Sequence, residues 1–194
     1  IDVFEKPGIH QGYFSPETFW PHSIGTAAAS SVIGKIAEAR RPEDAFTAGL
    51  LHGVGLLVID NFFPDVMREI QERVEVESMT LAEAEEELLG FDHARLGARL
   101  LQEWRLPDEI VNAVQYHTQV DLCPPEHMQL AACVHLGDVF CRVLGHGSAG
   151  EPTVPAVNEV ALDVLGIPAN TFSHLLEPLD EEIEKSAVFL DSGR

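Results

Sequence analysis

The sequence predicts an all-α domain, about eight or nine helices packed around one central buried helix over residues 45–60. Three observations carry this. No segment alternates apolar and polar residues over a useful strand length. Apolar residues recur at helical spacing in successive segments, which open on a capping side chain or on proline followed by acids. The run AFTAGLLHGVGLLVID, Ala45 to Asp60, is the most apolar in the chain and is apolar on two sides. Leu50, Leu51, Val54, Leu57 and Val58 form one stripe; Ala45, Ala48, His52, Gly55 and Ile59 form another. Such a helix belongs in a core. The imidazole at its centre, His52, then needs a hydrogen-bond partner or a metal.

Residues 1–14 have glycines at 8 and 12 and no clear period, and read as an irregular lead-in to a single domain over 15–194. Ser15-Pro16-Glu17 starts a helix that runs to about Arg40, with Pro21 as an alternative start or a kink. On it His22, Thr26, Ala29 and Ile33 share a stripe, and the small residues from Ala27 to Ser31 let another helix approach closely. Arg41-Pro42-Glu43-Asp44 leads into the central helix, and Asn61-Phe62-Phe63-Pro64 ends it. An amphipathic helix follows over 64–76. Thr80-Leu81-Ala82-Glu83 is a capping box for the next, which stops at Gly90; its acids at 83, 85, 86 and 87 read as a solvated face.

Asp92 caps a helix from His93 to Arg105, with His93, Leu96, Leu100 and Trp104 on one stripe. Pro107-Asp108-Glu109 opens the next, where Ile110, Val114 and His117 share a face. Pro124-Pro125-Glu126 opens a long helix to Leu144, with Asp138 amid apolar neighbours. A Gly-, Ser- and Pro-bearing loop over 145–155 precedes helices over 156–165 and 171–190, the latter holding Pro178.

Composition narrows the function. Thirty-two acids against 12 bases give a net charge of −20, which argues against nucleic acid and anionic membranes as partners. No apolar run approaches the ~18 residues needed to cross a bilayer. No charged-then-apolar signal segment opens the chain, and Ile1 is not a natural start. Three cysteines without a CxxC pair suit a reducing cytosol.

His22, His52, His93, His117 and Asp138 lie on apolar stripes of five different helices. Side chains so placed can meet at one point, and imidazoles with a carboxylate suit Fe, Mn or Zn. A histidine on an apolar face is more often a hydrogen-bonded core residue, and Arg142, one turn beyond Asp138, offers that carboxylate a local partner. His135 offers another, while His127, His146 and His174 read as surface or loop residues.

In order, FWPHS, AFTAGLLHGVGLLVID, GFDHARLGARLLQEWRLPDEIVNAVQYHT and LGDVF resemble the HDOD family, HD-related output domains of bacterial signalling proteins. The resemblance runs from about Phe19 to Leu190 and implies an HD-domain-like bundle, distantly related to the HD and HD-GYP metal-dependent phosphohydrolases. The family unit also has a preceding helical half, which is not seen here. By the resemblance, His22 matches the early metal-ligating histidine, His52 the histidine of the His-Asp pair, His93 and His117 the later histidines, and Asp138 the final aspartate. Three positions depart from the enzymes. Gly53 replaces the pair's aspartate, Leu56 stands where HD-GYP enzymes carry a lysine, and Thr118 where they often have a tandem histidine. Without the bridging carboxylate and the lysine, phosphate hydrolysis is badly impaired.

The expectation is a non-catalytic, cytoplasmic signalling module that binds a protein partner or a covalently linked receiver-type module, or another copy of itself. It needs no cofactor, and no residue is assigned a catalytic role. The alternatives are a weak metal-dependent phosphohydrolase, on a cyclic nucleotide for example, and a metal- or ligand-sensing domain in which the same five residues bind Fe, Mn or Zn without turnover.

Overall fold

The structure, a computed structural model, describes residues 15–77, 79–150 and 154–191. The irregular lead-in expected over 1–14 lies outside them. Among the described residues there are ten α-helices and no strand. They are α1 (Pro16–Ile36), α2 (Pro42–Leu51), α3 (Val54–Phe62), α4 (Pro64–Glu77), α5 (Leu81–Leu89), α6 (His93–Glu103), α7 (Asp108–Tyr116), α8 (Met128–Val143), α9 (Glu159–Leu165) and α10 (Phe172–Asp191). Short 3-10 turns follow α7 and precede α10.

Most helix starts fall at their signals. The Ser15 hydroxyl accepts from the Glu17 amide ahead of Pro16, and the Asp92 carboxylate accepts from the Arg95 amide at 2.8 Å. At α5 the Thr80 hydroxyl accepts from the Glu83 amide while the Glu83 carboxylate accepts from the Thr80 amide, at 3.2 and 2.8 Å. Thr80→Ala is expected to lower the unfolding free energy by about 1 kcal/mol, read in urea melts; an unchanged midpoint would show that this cap contributes nothing. Pro21 and Pro178 both stay inside continuous helices.

The stretch 45–60 is not one helix. It breaks at His52–Gly53 into α2 and α3, which adds one helix to the expected number. Gly53 leaves the helical region (φ −90°, ψ 5°), as a residue of low helix propensity readily does. The break lets the two halves serve different cores. Ala45 and Ala48 of α2 enter the larger core, while Leu56 and Ile59 of α3 enter a smaller one with Phe19, Met67, Ile70 and Leu81.

Nor is that stretch the innermost element. Phe46 is 38% exposed, and Leu50, Leu51, Leu57 and Val58 are only partly buried. The innermost helix is α8, where every residue from Leu130 to Cys141 is buried. Small residues allow this. A Cβ on Gly137 would sit 2.2 Å from Ser30 Oγ and 2.9 Å from the Thr26 carbonyl oxygen of α1. A Cβ on Gly49 of α2 would sit 2.9 Å from Ala27 Cα of the same turn. The small-residue face of α1 is thus gripped from both sides, one turn beyond His22.

Taken together, Pro42–Phe62 are long and apolar enough to cross a membrane by length and composition, contrary to the expectation that no run is. Here they are core helices: 56% of the apolar window is buried inside the bundle, which also covers His52 and Asp60.

Candidate metal centre

Two helix ends and two helix interiors build the centre. His52 follows the last residue of α2, and its Nδ1–H donates to the Gly49 carbonyl at 2.6 Å. His117 holds the same place after α7 and donates from Nδ1 to the Val114 carbonyl at 2.8 Å. Each ring satisfies a carbonyl that the end of a helix leaves without a partner, and each is thereby fixed with its lone pair on Nε2. His22 comes from within α1 and Asp138 from within α8.

These meet around one carboxylate oxygen. Asp138 Oδ1 lies 3.0 Å from His22 Nε2, 3.8 Å from His52 Nε2 and 2.9 Å from Arg142 Nε. Donor atoms of His22, His52 and Asp138 all fall within 4.8 Å of one another. His117 and His93 do not join that group of three but continue it as a row of rings. Ring centroids are 5.3 Å apart from His22 to His52, 5.2 Å from His52 to His117, and 5.6 Å from His117 to His93. His93, His117, Asp138 and Arg142 form part of the wall of a cleft of about 1010 Å³ between α5, the end of α7, α8 and Pro155–Ala156.

Burial sets the charges. It pushes His52 down to about 4, against the opposing pull of Asp138, and pushes His117 down to about 3 with help from its neighbours His52 and His93. Burial acts on Asp138 in the opposite sense, but Arg142, His22 and His52 outweigh it and hold the carboxyl well below its usual range. At neutral pH the centre therefore holds an anion, Asp138, beside the neutral rings of His52 and His117.

The residues fit a divalent cation. Nδ1 of His22 and Nε2 of His52 are buried without a hydrogen-bond partner, while Nε2 of His22 faces Asp138 Oδ1 at 3.0 Å. Two imidazoles and a carboxylate would satisfy Fe, Mn or Zn, and the ion would satisfy these nitrogens in turn. The Arg142 pairing read from the sequence is also present and shares the same oxygen.

Two residues play parts that the sequence reading did not give them. Glu85, read with its neighbours as a solvated face, is fully buried, and its Oε2 accepts from His93 Nδ1–H at 2.7 Å. The signal was there: Glu85 shares the buried side of α5 with Leu81 and Ala84. His135 does not serve Asp138. Its Nδ1–H donates to the His117 carbonyl at 2.9 Å, and its Nε2 accepts from the Asn158 amide at 2.9 Å, which braces the His117 backbone against the start of α9.

The chain is thus an all-helical bundle that holds a buried cluster of imidazoles and carboxylates drawn from separate helices. The HDOD domain model matches residues 2–120, and the chain belongs to that family. The match ends before Asp138, so beyond residue 120 the likeness is one of fold. An HDOD domain protein of unknown function from Geobacter sulfurreducens is 26% identical, with a TM-score of 0.77 over 93% of this chain and 63% of its own. A candidate signal transduction protein from Marinobacter aquaeolei VT8 is 23% identical, with a TM-score of 0.75 over 97% of this chain and 40% of its own. A candidate phosphohydrolase from Shewanella amazonensis SB2B is 24% identical, with a TM-score of 0.71 over 95% of this chain and 68% of its own. The chain therefore spans from two-fifths to about two-thirds of these structures, and the last two speak to fold alone.

Proposed function

We propose that this HDOD domain is a non-catalytic signal-transduction module that acts by binding a protein, either a separate signalling partner or a linked receiver-type module. The observation that carries the reading is position 53. The His-Asp pair of the related enzymes has a glycine here, and a Cβ at that position would already lie 3.1 and 3.2 Å from ring atoms of the buried Phe19. The carboxylate that would bridge two metals is missing, and an aromatic ring crowds its place. The remaining carboxylate, Asp138, is shared with Arg142, which reduces the charge it offers a cation. A net charge of −20 suits a partner with a basic face, and the buried thiols of Cys123, Cys133 and Cys141 suit a reducing cytoplasm.

A second reading, that the centre senses a metal or small ligand without turnover, is favoured by the unsatisfied nitrogens of His22 and His52. A divalent ion held there would supply Lewis acidity, the chemistry that a weak phosphohydrolase would use. The test is hydrolysis of bis-p-nitrophenyl phosphate and of cyclic dinucleotides with added Mn²⁺ or Fe²⁺. The expected rate for the wild type equals that of Asp138→Ala. Turnover that disappears in that variant would replace the non-catalytic reading with the hydrolase one.

A further inference from the structure

We infer that Glu85 is a positioning residue of this centre, a buried carboxylate that fixes the tautomer of His93. Its Oε2 accepts two bonds from one residue, the His93 amide at 2.7 Å and His93 Nδ1–H at 2.7 Å. Its Oε1, also buried, has no partner. Capping accounts for the bond to the His93 amide, beside the bond from the Arg95 amide to Asp92, but not for the second bond, from the His93 ring. The arrangement is also expensive, since a carboxylate removed from water with one oxygen unsatisfied is destabilising unless its charge is used. The use lies in the ring. With the proton held on Nδ1, the lone pair of His93 is on Nε2, the same tautomer that Gly49 and Val114 impose on His52 and His117. Those two rings are held by neutral carbonyls. His93, on the cleft wall, is held by a carboxylate, which strengthens the imidazole as a donor to a cation. That His93 donates to a cation rests on the sensing reading, extended from the triad of His22, His52 and Asp138 along the row of rings to His93; the tautomer stands without it.

The experiment is histidine ¹⁵N NMR on the chelated full chain, with Co²⁺ titration of the same samples. In the wild type His93 is expected as the Nδ1–H tautomer with a far-downfield ring proton. In Glu85→Leu it should shift to a mixture rich in Nε2–H. In Glu85→Gln, where an amide oxygen replaces Oε2, the tautomer should survive while the ring proton moves upfield. Co²⁺ affinity should fall roughly tenfold or more in Glu85→Leu and recover in part in Glu85→Gln. A helix cap alone would lower the melting temperature and leave the His93 spectrum as it was, and that result would overturn the inference. Should Glu85→Leu fail to fold, an unmoved ring proton in Glu85→Gln would overturn it equally. A wild type that takes up no Co²⁺ while showing the expected tautomers would remove the sensing reading and leave the Glu85 assignment standing.

Discussion

Gly55→Ala is expected to cost about 3 kcal/mol of stability or more and to pull His93 out of place. Gly55 sits where α3 crosses α6. A Cβ there would lie 2.0 Å from the His93 carbonyl oxygen and 2.9 Å from the Gly97 amide nitrogen. Both obstacles are backbone, so no side chain can rotate out of the way. Gly97 answers from α6, since a Cβ on it would lie 3.3 Å from the Gly55 amide. The helices touch main chain to main chain, and an added methyl must drive them apart. Separation would loosen Leu56 and Ile59 in the smaller core and move the first residue of α6, which is His93. At about 2–4 °C per kcal/mol for a chain of this size, the melting temperature should fall by roughly 10 °C. Calorimetry reads the stability and the His93 ring resonances read the displacement. A variant that melts within a degree or two of the wild type would show that the crossing is looser than described.

The second large effect is loss of stability in acid. His52 and His117 are buried neutral, with folded values of about 4 and about 3 against 6.5 for an exposed imidazole. Below pH 6.5 the unfolded chain therefore binds protons that the folded chain refuses, and stability falls as pH falls. The loss begins near 6.5 and is complete only below the folded values. It amounts to roughly 3 kcal/mol for His52, and a comparable loss for His117 is not simply additive because each ring disfavours charge on the other. An opposing trend comes from the net charge of −20, whose self-repulsion relaxes on acidification. The difference between two proteins isolates the imidazole. Urea melts of chelated wild type and His52→Gln, from pH 7.5 to 4.5, should show the wild type losing more stability over that span. Parallel curves would mean that His52 is not held neutral by burial.

The helices themselves were largely legible in the residues. Pro16, Pro42, Pro64, Thr80 with Glu83, and Asp92 each open a helix where short-range rules place one, because capping is decided within three or four residues. Two helices start later than their prolines and loop signals suggest. The last long-loop boundary falls at Asn158, whose side chain caps α9, rather than at 156, and α8 begins at Met128 after a turn through Pro124–His127. The inward stripes were legible too, since His22, His52, His93, His117 and Asp138 are all buried. Their grouping was not. The structure brings His22, His52 and Asp138 into one triad and strings His117 and His93 beside it.

An all-helical domain, the inward face of most helices and the lack of a carboxylate at position 53 are all written in the order of residues. That α8 rather than 45–60 is innermost, that Phe19 crowds Gly53, that Glu85 turns in to hold His93, and that Arg142 and His22 share Asp138 emerge only when the helices pack. The reason is physical. Helical periodicity records that a face is covered, because burial favours apolar residues every third or fourth position. What covers that face depends on helices far apart in the chain, and on how closely they approach where Gly49, Gly55 and Gly137 leave no side chain between them. A one-dimensional pattern carries the period of a face but not the identity of the atoms opposite it.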